Sequence, residues 1–369
     1  MAELFIGLMS GTSMDGVDGV LADLSGGRIA VQGYAAAPFP VGLRAELMAL
    51  NTPGDNELHR AALAGNGLAR AYAGVVHRLI ADAGLSSGAV SAIGAHGQTV
   101  RHRPGEFDEV GYTLQINNPS LLAELTGIPV VADFRSRDLA AGGQGAPLVP
   151  GFHRALFARD DQAVAVLNIG GISNLSILPA GEGTVLGFDC GPGNALIDHW
   201  CQSHIGQPYD VGGQWAASGR VLPELLARLL GDPYFIKSPP KSTGRDLFNP
   251  SWLAAQLDTS EGDAADVQAT LTELTASVCA EHLKRHGAGS QVLVVCGGGA
   301  LNQHLLSRLR ALLPAVEVVS SAERGLPPQE VEAAAFAWLA RSALRREAGN
   351  LASVTGARGP RVLGAVYPA

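Results

Sequence analysis

The chain has 369 residues, of which 47% are hydrophobic and 16% are charged, so it is long enough for two domains with well-filled cores. Its net charge of -8 and the lack of any long basic run argue against a nucleic-acid surface and favour small-molecule ligands. The cysteines form no CxxC pair, and neither a signal peptide nor an apolar span of about 18 residues is found. We therefore expect a reduced protein of the cytoplasm, without a membrane partner.

The first predicted element is an apolar strand that runs into a small-residue turn and then re-enters a strand. Residues 7–20 read GLMSGTSMDGVDGV, in which glycines let the backbone approach a ligand and hydroxyls can bond phosphate oxygens. Asp15 and Asp18 would lie beside an anion only with a cation between them, and hydrated magnesium is the usual one. The turn predicts a phosphate-binding loop. A glycine-rich β-hairpin turn is the alternative. The glycines and hydroxyl residues concerned are Gly11, Gly16, Ser10, Thr12 and Ser13.

Two polar segments that follow predicted strands are candidate sugar-binding elements. The segment GAHGQTVRHR brings His96 to the end of one strand, and ADFRSRD brings Arg135 to the end of another. Hydroxyl-rich ligands need such mixed donors and acceptors. The structural alternatives are that His96 bonds a backbone carbonyl, and that Arg137 and Asp138 form a surface ion pair of little energetic weight.

The strand-turn-strand pattern recurs in residues 164–178, where a Gly-Gly turn precedes a second strand. Strands alternate with helices over most of the length, which predicts an α/β protein with a duplicated architecture. We place the hinge and a cleft near the glycine- and proline-rich residues 142–151. The expected domains are residues 1–150 and 151–344, with residues 345–369 packing back onto the first.

A carboxylate within GFDCGPGN is the candidate catalytic group. Asp189 comes just after the predicted strand at residues 184–188 and just before a glycine turn. A carboxylate at a strand end is well placed to act as a general base, although a helix N-cap or a turn is an equally reasonable role. Cys190 has no evident base beside it, which disfavours a nucleophilic thiol.

Later segments add further candidates. In the loop FIKSPPKSTGRDLF, Lys241 and Arg245 either contact a ligand or pack against a carboxylate. The segment GGGALN follows a buried-looking strand and could support an adenine ring or a pyrophosphate. It lacks the GxGxxG spacing of a dinucleotide site, so nucleoside binding fits better. Glu330 and Glu332 lie at a helix start, where the helix dipole favours acidic residues whatever the function.

Taken in order, these segments resemble the anhydro-N-acetylmuramic acid kinase family, within the superfamily of sugar kinases, Hsp70 and actin. The matching segments are GLMSGTSMDGVD, GAHGQT, ADFRSRDLAAGGQGAPLVP, LNIGGISNLS, GFDCGPGN, PPKSTGRD, VCGGGALN and SVTGA. Ala95 and Cys190 stand where cysteine and threonine are expected. The resemblance implies a two-domain actin-like ATPase (ribonuclease H-like) fold, with duplicated mixed sheets flanked by helices and a central cleft.

The resemblance also implies the reaction. An enzyme of this family uses ATP to phosphorylate O6 of anhydro-N-acetylmuramic acid while water opens the 1,6-anhydro ring, giving N-acetylmuramic acid 6-phosphate and ADP in cell-wall sugar recycling. The implied cofactors are ATP and Mg²⁺, and a homodimer is expected. Two alternatives remain: an Hsp70-like switch, for which the length leaves no peptide-binding domain, and a glycosidase that needs no ATP.

Carried over by position, the resemblance assigns a role to each motif. Asp189 becomes the catalytic base, and Asp15 holds magnesium through water. The sugar would be bound by His96, Arg135 and Glu332. The ATP contacts are spread over the two loops and the later glycine turn: Gly11, Thr12, Ser13, Met14, Asp15, Gly16, Val17, Asp18, Asn168, Gly170, Gly171, Asn174, Gly297, Gly298 and Gly299.

Overall fold

The computed structural model describes residues 2–11, 14–244, 247–257 and 262–369. Its strands, in chain order, are β1 (Leu4–Met9), β2 (Gly16–Asp23), β3 (Ala30–Pro38), β4 (Val90–Ala95), β5 (Gln98–Pro104), β6 (Gly111–Ile116), β7 (Val130–Ala132), β8 (Val164–Ile169), β9 (Ile172–Leu178), β10 (Leu186–Pro192), β11 (Val292–Cys296), β12 (Glu317–Ser320) and β13 (Ala365–Tyr367).

The helices are, in the same order, α1 (Val41–Ala49), α2 (Glu57–Asp82), α3 (Pro119–Thr126), α4 (Ser136–Ala140), α5 (Val149–Phe157), α6 (Ala195–Ile205), α7 (Gln214–Ser218), α8 (Pro223–Leu230), α9 (Pro250–Gln256), α10 (Ala264–His286), α11 (Gln303–Leu312), α12 (Val331–Leu344) and α13 (Ala352–Thr355). Short 3-10 helices lie at Ser25–Gly27, Ser87–Ala89, Val211–Gly213, Pro233–Ile236, Gly298–Leu301 and Ser321–Arg324. Among the described residues, no helix is both long and apolar enough to cross a membrane.

The chain divides into two units. The first comprises Met1–Leu156 and Gln329–Ala369, and the second comprises Phe157–Pro328. Residues 329–344, expected in the second domain, belong to the first unit because α12 packs against β1 and β4. The C-terminal segment also joins the first unit, since β13 pairs with β7.

The sheet of the first unit has the order β13-β7-β4-β1-β2-β3. Strands β1, β2 and β3 pair antiparallel, whereas β4 and β7 run parallel to β1. Strands β5 and β6 form a separate antiparallel hairpin. The mixed sheet places the turn after β1 and the segment after β4 at the same edge, because parallel neighbours end together.

Two paired glycines explain how α12 lies on this sheet. Gly7 of β1 is the register partner of Gly94 of β4. A Cβ at Gly7 would lie 1.8 Å from the carbonyl oxygen of Ala333, and one at Gly94 would lie 2.0 Å from that of Phe336. The helix backbone therefore rests directly on the two strands, and alanines line most of its buried face. This contact fixes the position of the first turn of α12.

The second unit repeats the arrangement. Its sheet has the order β10-β9-β8-β11-β12, with antiparallel pairing among β8, β9 and β10 and parallel pairing of β11 with β8 and β12. Strand β8 is buried along its full length, as expected of an apolar central strand. The prediction of an α/β actin-like fold with duplicated mixed sheets flanked by helices is confirmed by this topology.

Candidate active site

The turn after β1 is tied to the segment after β4 by a closed ring of hydrogen bonds. The backbone N–H of Gly97 donates to the Tyr72 hydroxyl oxygen (3.1 Å), and the Ser10 hydroxyl donates to the Gly97 carbonyl (3.0 Å). The Tyr72 hydroxyl then donates to Ser10 Oγ (2.9 Å), which closes the ring. Ser10 is fully buried, so the expectation that its hydroxyl bonds a phosphate is wrong. Its hydroxyl instead holds the loop in place.

Other residues of this first loop have structural roles as well. The side chains of Met14 and Val17 are buried in the core of the first unit, so any ATP contact by them would be through the backbone. A Cβ at Gly16 would lie 2.3 Å from the Ala37 carbonyl oxygen, so glycine is needed there for strand packing. The Gly11 carbonyl accepts a hydrogen bond from the Gln98 amide (3.1 Å). Thr12 and Ser13 lie outside the described residues.

Two carboxylates stand at the end of the first loop. Asp15 is exposed, and half-buried Asp18 accepts a hydrogen bond from the Tyr34 hydroxyl at 2.6 Å. Burial raises the pKa of Asp18, the Tyr34 hydrogen bond opposes that rise, and the nearby Asp15 charge adds to it. A cation near this pair would relieve their repulsion. Within the described ranges, no group of three or more His, Cys, Asp or Glu side chains could hold a metal ion.

The sugar-binding candidates His96 and Arg135 contact each other. The Arg135 guanidinium donates to His96 Nε2 at 2.9 Å and to the Gly145 carbonyl at 2.8 Å. Because Nε2 accepts, the proton of the neutral imidazole is on Nδ1. Burial, with the nearby Arg135 charge, lowers the pKa of His96 to about 3, so the ring is neutral at physiological pH. Its centroid lies 4.7 Å from that of Phe336 on α12.

Asp138 is a buried anchor of this region, so the expectation of a surface pair with Arg137 is wrong. The Asp138 side chain is fully buried, whereas Arg137 is exposed. Its Oδ2 accepts from the Gly145 N–H at 2.8 Å. Its Oδ1 accepts from Asn350 Nδ2 at 2.6 Å and from the Thr355 hydroxyl at 2.8 Å. Asp138 thus fixes the loop that contains Gly145, and the Gly145 carbonyl in turn binds Arg135.

Glu332, the third sugar-binding candidate, lies half-buried in the first turn of α12. The start of a helix carries partial positive charge, which favours a carboxylate there. Glu330 precedes it at the N-cap position, and burial raises the pKa of the Glu330 carboxyl. All the sugar-binding candidates therefore belong to the first unit.

The second loop, between β8 and β9, meets the N-terminus of α6. The Gly171 carbonyl accepts from the Gly193 N–H at 2.9 Å, and the Gly170 carbonyl accepts from the Asn194 N–H at 2.8 Å. The side chain of Asn194 also donates to the Ile169 carbonyl at 3.1 Å. These bonds fix the glycine turn against the start of α6.

The glycine turn after β11 packs against the same loop. Gly297 has a left-handed φ of 76°, and a Cβ there would lie 2.3 Å from Asn168 Oδ1. A Cβ at Gly299 would lie 2.4 Å from Cγ2 of Ile169. Gly298 between them is exposed. The close approach therefore requires glycine at 297 and 299, and it brings the nucleoside-binding candidate next to the second loop.

Asp189 lies on the same sheet face as two of the ATP-binding candidates. Asn174 of β9 is the register partner of Asn168 on β8 and of Asp189 on β10. Directly opposed residues of antiparallel strands project to one side of a sheet. Asn168, Asn174 and Asp189 therefore form a polar row across three adjacent strands.

The surroundings of Asp189 differ from the sequence expectation in one respect. The strand was expected to end before Asp189, but β10 continues to Pro192 with a register shift between Asp189 and Gly191. Such a bulge re-aims a side chain, which is common beside active sites. Asp189 is 8% exposed, and its Oδ2 accepts from the Thr243 N–H at 2.9 Å. Burial raises the pKa of the neighbouring Cys190 thiol, which makes it a poor nucleophile.

The loop after the 3-10 helix at Pro233–Ile236 contributes more than the sequence indicated. Lys241 is buried there and Thr243 bonds Asp189, whereas Arg245 lies outside the described residues. The Tyr72 hydroxyl also supports the first loop, because it bonds Ser10 and the Gly97 N–H. Asn194 is the last residue of the matching segment GFDCGPGN. Its place in that segment was the available signal in the sequence for its bonds to the second loop.

Comparison with known proteins identifies the relatives of this chain. A family model described as anhydro-N-acetylmuramic acid kinase matches residues 3–369. A relative of that name from Variovorax paradoxus is 77% identical over 100% of this chain and 99% of its own length. Another, from Albidiferax ferrireducens, is 61% identical with full coverage of both chains (100% and 100%).

Solved structures that align with the chain are far more distant in sequence. A ROK family glucokinase from Streptomyces griseus, in complex with glucose and AMPPNP, is 16% identical with a TM-score of 0.43, covering 92% of this chain and 99% of that one. Component A of the (R)-2-hydroxyglutaryl-CoA dehydratase from Acidaminococcus fermentans is 14% identical with a TM-score of 0.46, covering 91% of this chain and 96% of that one.

Proposed function

The chain belongs to the anhydro-N-acetylmuramic acid kinase family, and from this premise we propose that Asp189 is the general base of an ATP-dependent sugar kinase. The enzyme phosphorylates O6 of anhydro-N-acetylmuramic acid and opens the 1,6-anhydro ring with water. Its products are N-acetylmuramic acid 6-phosphate and ADP, and the reaction serves the recycling of cell-wall sugars.

The proposed step balances without a separate acid. Asp189 takes a proton from a water molecule whose oxygen bonds to the anomeric carbon, and the bond between that carbon and O6 breaks. The O6 oxygen, as leaving group, bonds to the γ-phosphorus of ATP, and ADP departs. Acetal cleavage normally requires a base for water and an acid for the leaving oxygen, and here phosphoryl transfer replaces the acid.

The observation that carries this assignment is the polar row across β8, β9 and β10. Asp189 shares a sheet face with Asn168 and Asn174, and the row adjoins the glycine turns at 170–171 and 297–299. We propose that these turns bind ATP, the first through its phosphates and the second at its nucleoside. In the first unit, the loop from Gly11 to Asp18 would supply further phosphate contacts.

We propose that magnesium accompanies ATP and is held by Asp15 through water. Mg²⁺ keeps several waters and needs only one or two protein carboxylates when phosphates complete its shell. The exposed Asp15 beside half-buried Asp18 fits that requirement. Bound magnesium would neutralise charge on the phosphates of ATP.

We assign sugar binding to three residues of the first unit: His96, Arg135 and Glu332. The neutral imidazole and the guanidinium supply donors, and the carboxylate supplies acceptors for hydroxyl and amide groups. We also propose that the enzyme acts in the cytoplasm, where ATP is available, and that it forms a homodimer. The buried, free cysteines agree with a reducing compartment.

Asp189→Asn tests the assignment directly. We expect the rate of sugar phosphate formation to fall by about 10²–10⁴-fold, the usual contribution of a general base. The dissociation constant for ATP, measured by calorimetry, should stay nearly unchanged. The matched control is Asp161→Asn, an exposed carboxylate of the same unit, which should turn over normally. A near-normal rate for Asp189→Asn would remove Asp189 from this role.

A further inference from the structure

Lys241 is a buried lysine for which the proposed reaction has no direct use. Its side chain is 7% exposed, and its Nζ donates to the Tyr234 carbonyl at 3.2 Å. The same ammonium lies 2.7 Å from His282 Nε2 and 4.4 Å from the centroid of the Tyr234 ring. Lysines are rarely buried to this extent, because desolvating an ammonium group is costly.

The contact with His282 has a defined direction of donation. His282 Nδ1 lies 2.7 Å from the Val278 carbonyl, to which it can only donate, so Nε2 is the acceptor for Lys241. Burial is the main cause that lowers the pKa of His282 to about 4, so the imidazole is neutral at physiological pH. Lys241 is thereby fastened to α10, which supplies both Val278 and His282.

Lys241 anchors the same segment that is hydrogen-bonded to Asp189. The Asp189 N–H donates to the Lys241 carbonyl at 3.2 Å, and the Tyr234 hydroxyl donates to the Asp189 carbonyl at 2.9 Å. The Thr243 N–H donates to the Asp189 carboxylate at 2.9 Å. Backbone and carboxylate of Asp189 are thus held from residues 234, 241 and 243, and the Lys241 side chain ties two of these positions together through the Tyr234 carbonyl.

We propose that Lys241, hydrogen-bonded to His282, is a positioning residue that orients the Asp189 carboxylate by fixing the Tyr234–Thr243 segment. This inference rests on the proposed role of Asp189 as general base. Lys241 acts through Asp189 and touches neither substrate nor ATP. A misplacement of about 1 Å at a reacting group can lower a rate by about 100-fold, so a displaced segment should reduce kcat strongly.

The test compares Lys241→Met with Lys237→Met in the full chain. Lys237 lies on the same segment, 5.6 Å from the same Tyr234 ring centroid, but its side chain is exposed. We expect Lys241→Met to lower kcat by about 10–100-fold with KM for ATP within about twofold, and Lys237→Met to leave both unchanged. Equal kcat values for the two variants would overturn the proposal.

Two further readouts separate positioning from a general loss of structure. Hydrogen exchange at the Thr243 amide should accelerate in Lys241→Met but not in Lys237→Met, because its bond to Asp189 weakens. In an Asp189→Asn background, adding Lys241→Met should leave the residual rate unchanged. An unaltered Thr243 amide, or the same fold-loss of rate in both backgrounds, would contradict the proposal.

His282→Leu removes the acceptor of the Lys241 ammonium and leaves Lys241 in place, so the same measurements can be made on this variant if Lys241→Met does not fold.

If Asp189 is not the general base, the results differ in a recognisable way. Asp189→Asn alone would then turn over normally, while the Thr243 amide readout would still report whether Lys241 fixes the segment.

Discussion

Asp138→Asn is a sharp test of how the first unit is held together. The substitution keeps the shape of the side chain and removes its charge. The amide oxygen can take the place of Oδ1, which accepts from Asn350 and Thr355, and this leaves the amide NH₂ facing the Gly145 N–H. Two donors then face each other without an acceptor.

The expected cost follows from these three bonds. Loss of the charge-assisted bond to Gly145 removes about 2 kcal/mol, and the other two bonds weaken by about 1 kcal/mol each when the charge is lost. The cheaper burial of a neutral amide offsets part of this sum, so we expect a net loss of about 3 kcal/mol in the free energy of unfolding. For units of this size the melting temperature should fall by about 6–12 °C.

Chemical denaturation and thermal melting of the full chain measure the effect. The matched control is Asp133→Asn, the same change at an exposed position five residues earlier in the same segment, which should cost less than about 0.5 kcal/mol. Because the Gly145 carbonyl also holds Arg135, KM for the sugar should rise while KM for ATP stays constant. Equal stabilities for the two variants would show that the three bonds of Asp138 contribute nothing.

Substitutions of a packed glycine, a buried histidine and an ion-paired arginine give three further predictions. Gly94→Ala should cost about 3 kcal/mol of stability, because its Cβ would lie 2.0 Å from a helix carbonyl. Gly74→Ala, in open space on α2, should instead stabilise by about 1 kcal/mol. Chemical denaturation that ranks the two variants otherwise would contradict the close packing of α12 on β4. Burial lowers the pKa of His153 to about 3, so the unfolded chain binds the extra proton as pH falls below about 6.5 and stability is lost. His153→Gln should remove about 2 kcal/mol of the stability difference between pH 8 and pH 5, and an unchanged pH dependence of unfolding would refute this. Arg308→Met should lower the free energy of unfolding by about 2 kcal/mol in the same denaturation assay. The substitution leaves the largely buried Glu273 carboxylate without its 2.6 Å bond from the Arg308 guanidinium. A change near zero would show that the pair contributes nothing to stability.

The repeated strand-turn-strand units could be predicted from the sequence because their signals are local. Apolar runs, a glycine turn and a second apolar run lie within about fifteen residues, and this short-range pattern is typical of paired strands. The strands β8 and β9 match that prediction closely. The matching segments then led to the family, which the comparisons confirm.

The roles of Ser10, Asp138 and Lys241 could not be predicted because their partners are distant in the chain. Ser10 bonds Tyr72, 62 positions away, and Lys241 bonds His282, 41 positions away. Asp138 bonds Asn350, 212 positions away. A polar residue in a loop looks the same in sequence whether it meets solvent, a ligand or a distant donor, so burial had to come from the structure.

The assignment of residues 329–344 illustrates the same limit. The alanine-rich helix α12 gives a clear helical pattern, but which sheet it covers depends on the two glycines at 7 and 94. A glycine in a strand can mark a bulge, a bend or a close approach of another backbone, and the amino-acid sequence alone does not distinguish these three cases.

Whether water attacks the anomeric carbon or the phosphorus is the decisive observation for the proposed reaction. A single turnover with ATP and anhydro-N-acetylmuramic acid in oxygen-18-labelled water, quenched at once and analysed by mass spectrometry, locates the new oxygen. We expect one labelled oxygen on the anomeric carbon of N-acetylmuramic acid 6-phosphate, none in its phosphate, and formation of this product about 10²–10⁴-fold slower with Asp189→Asn. Label in the phosphoryl group, or labelled inorganic phosphate with no sugar phosphate, would contradict this expectation.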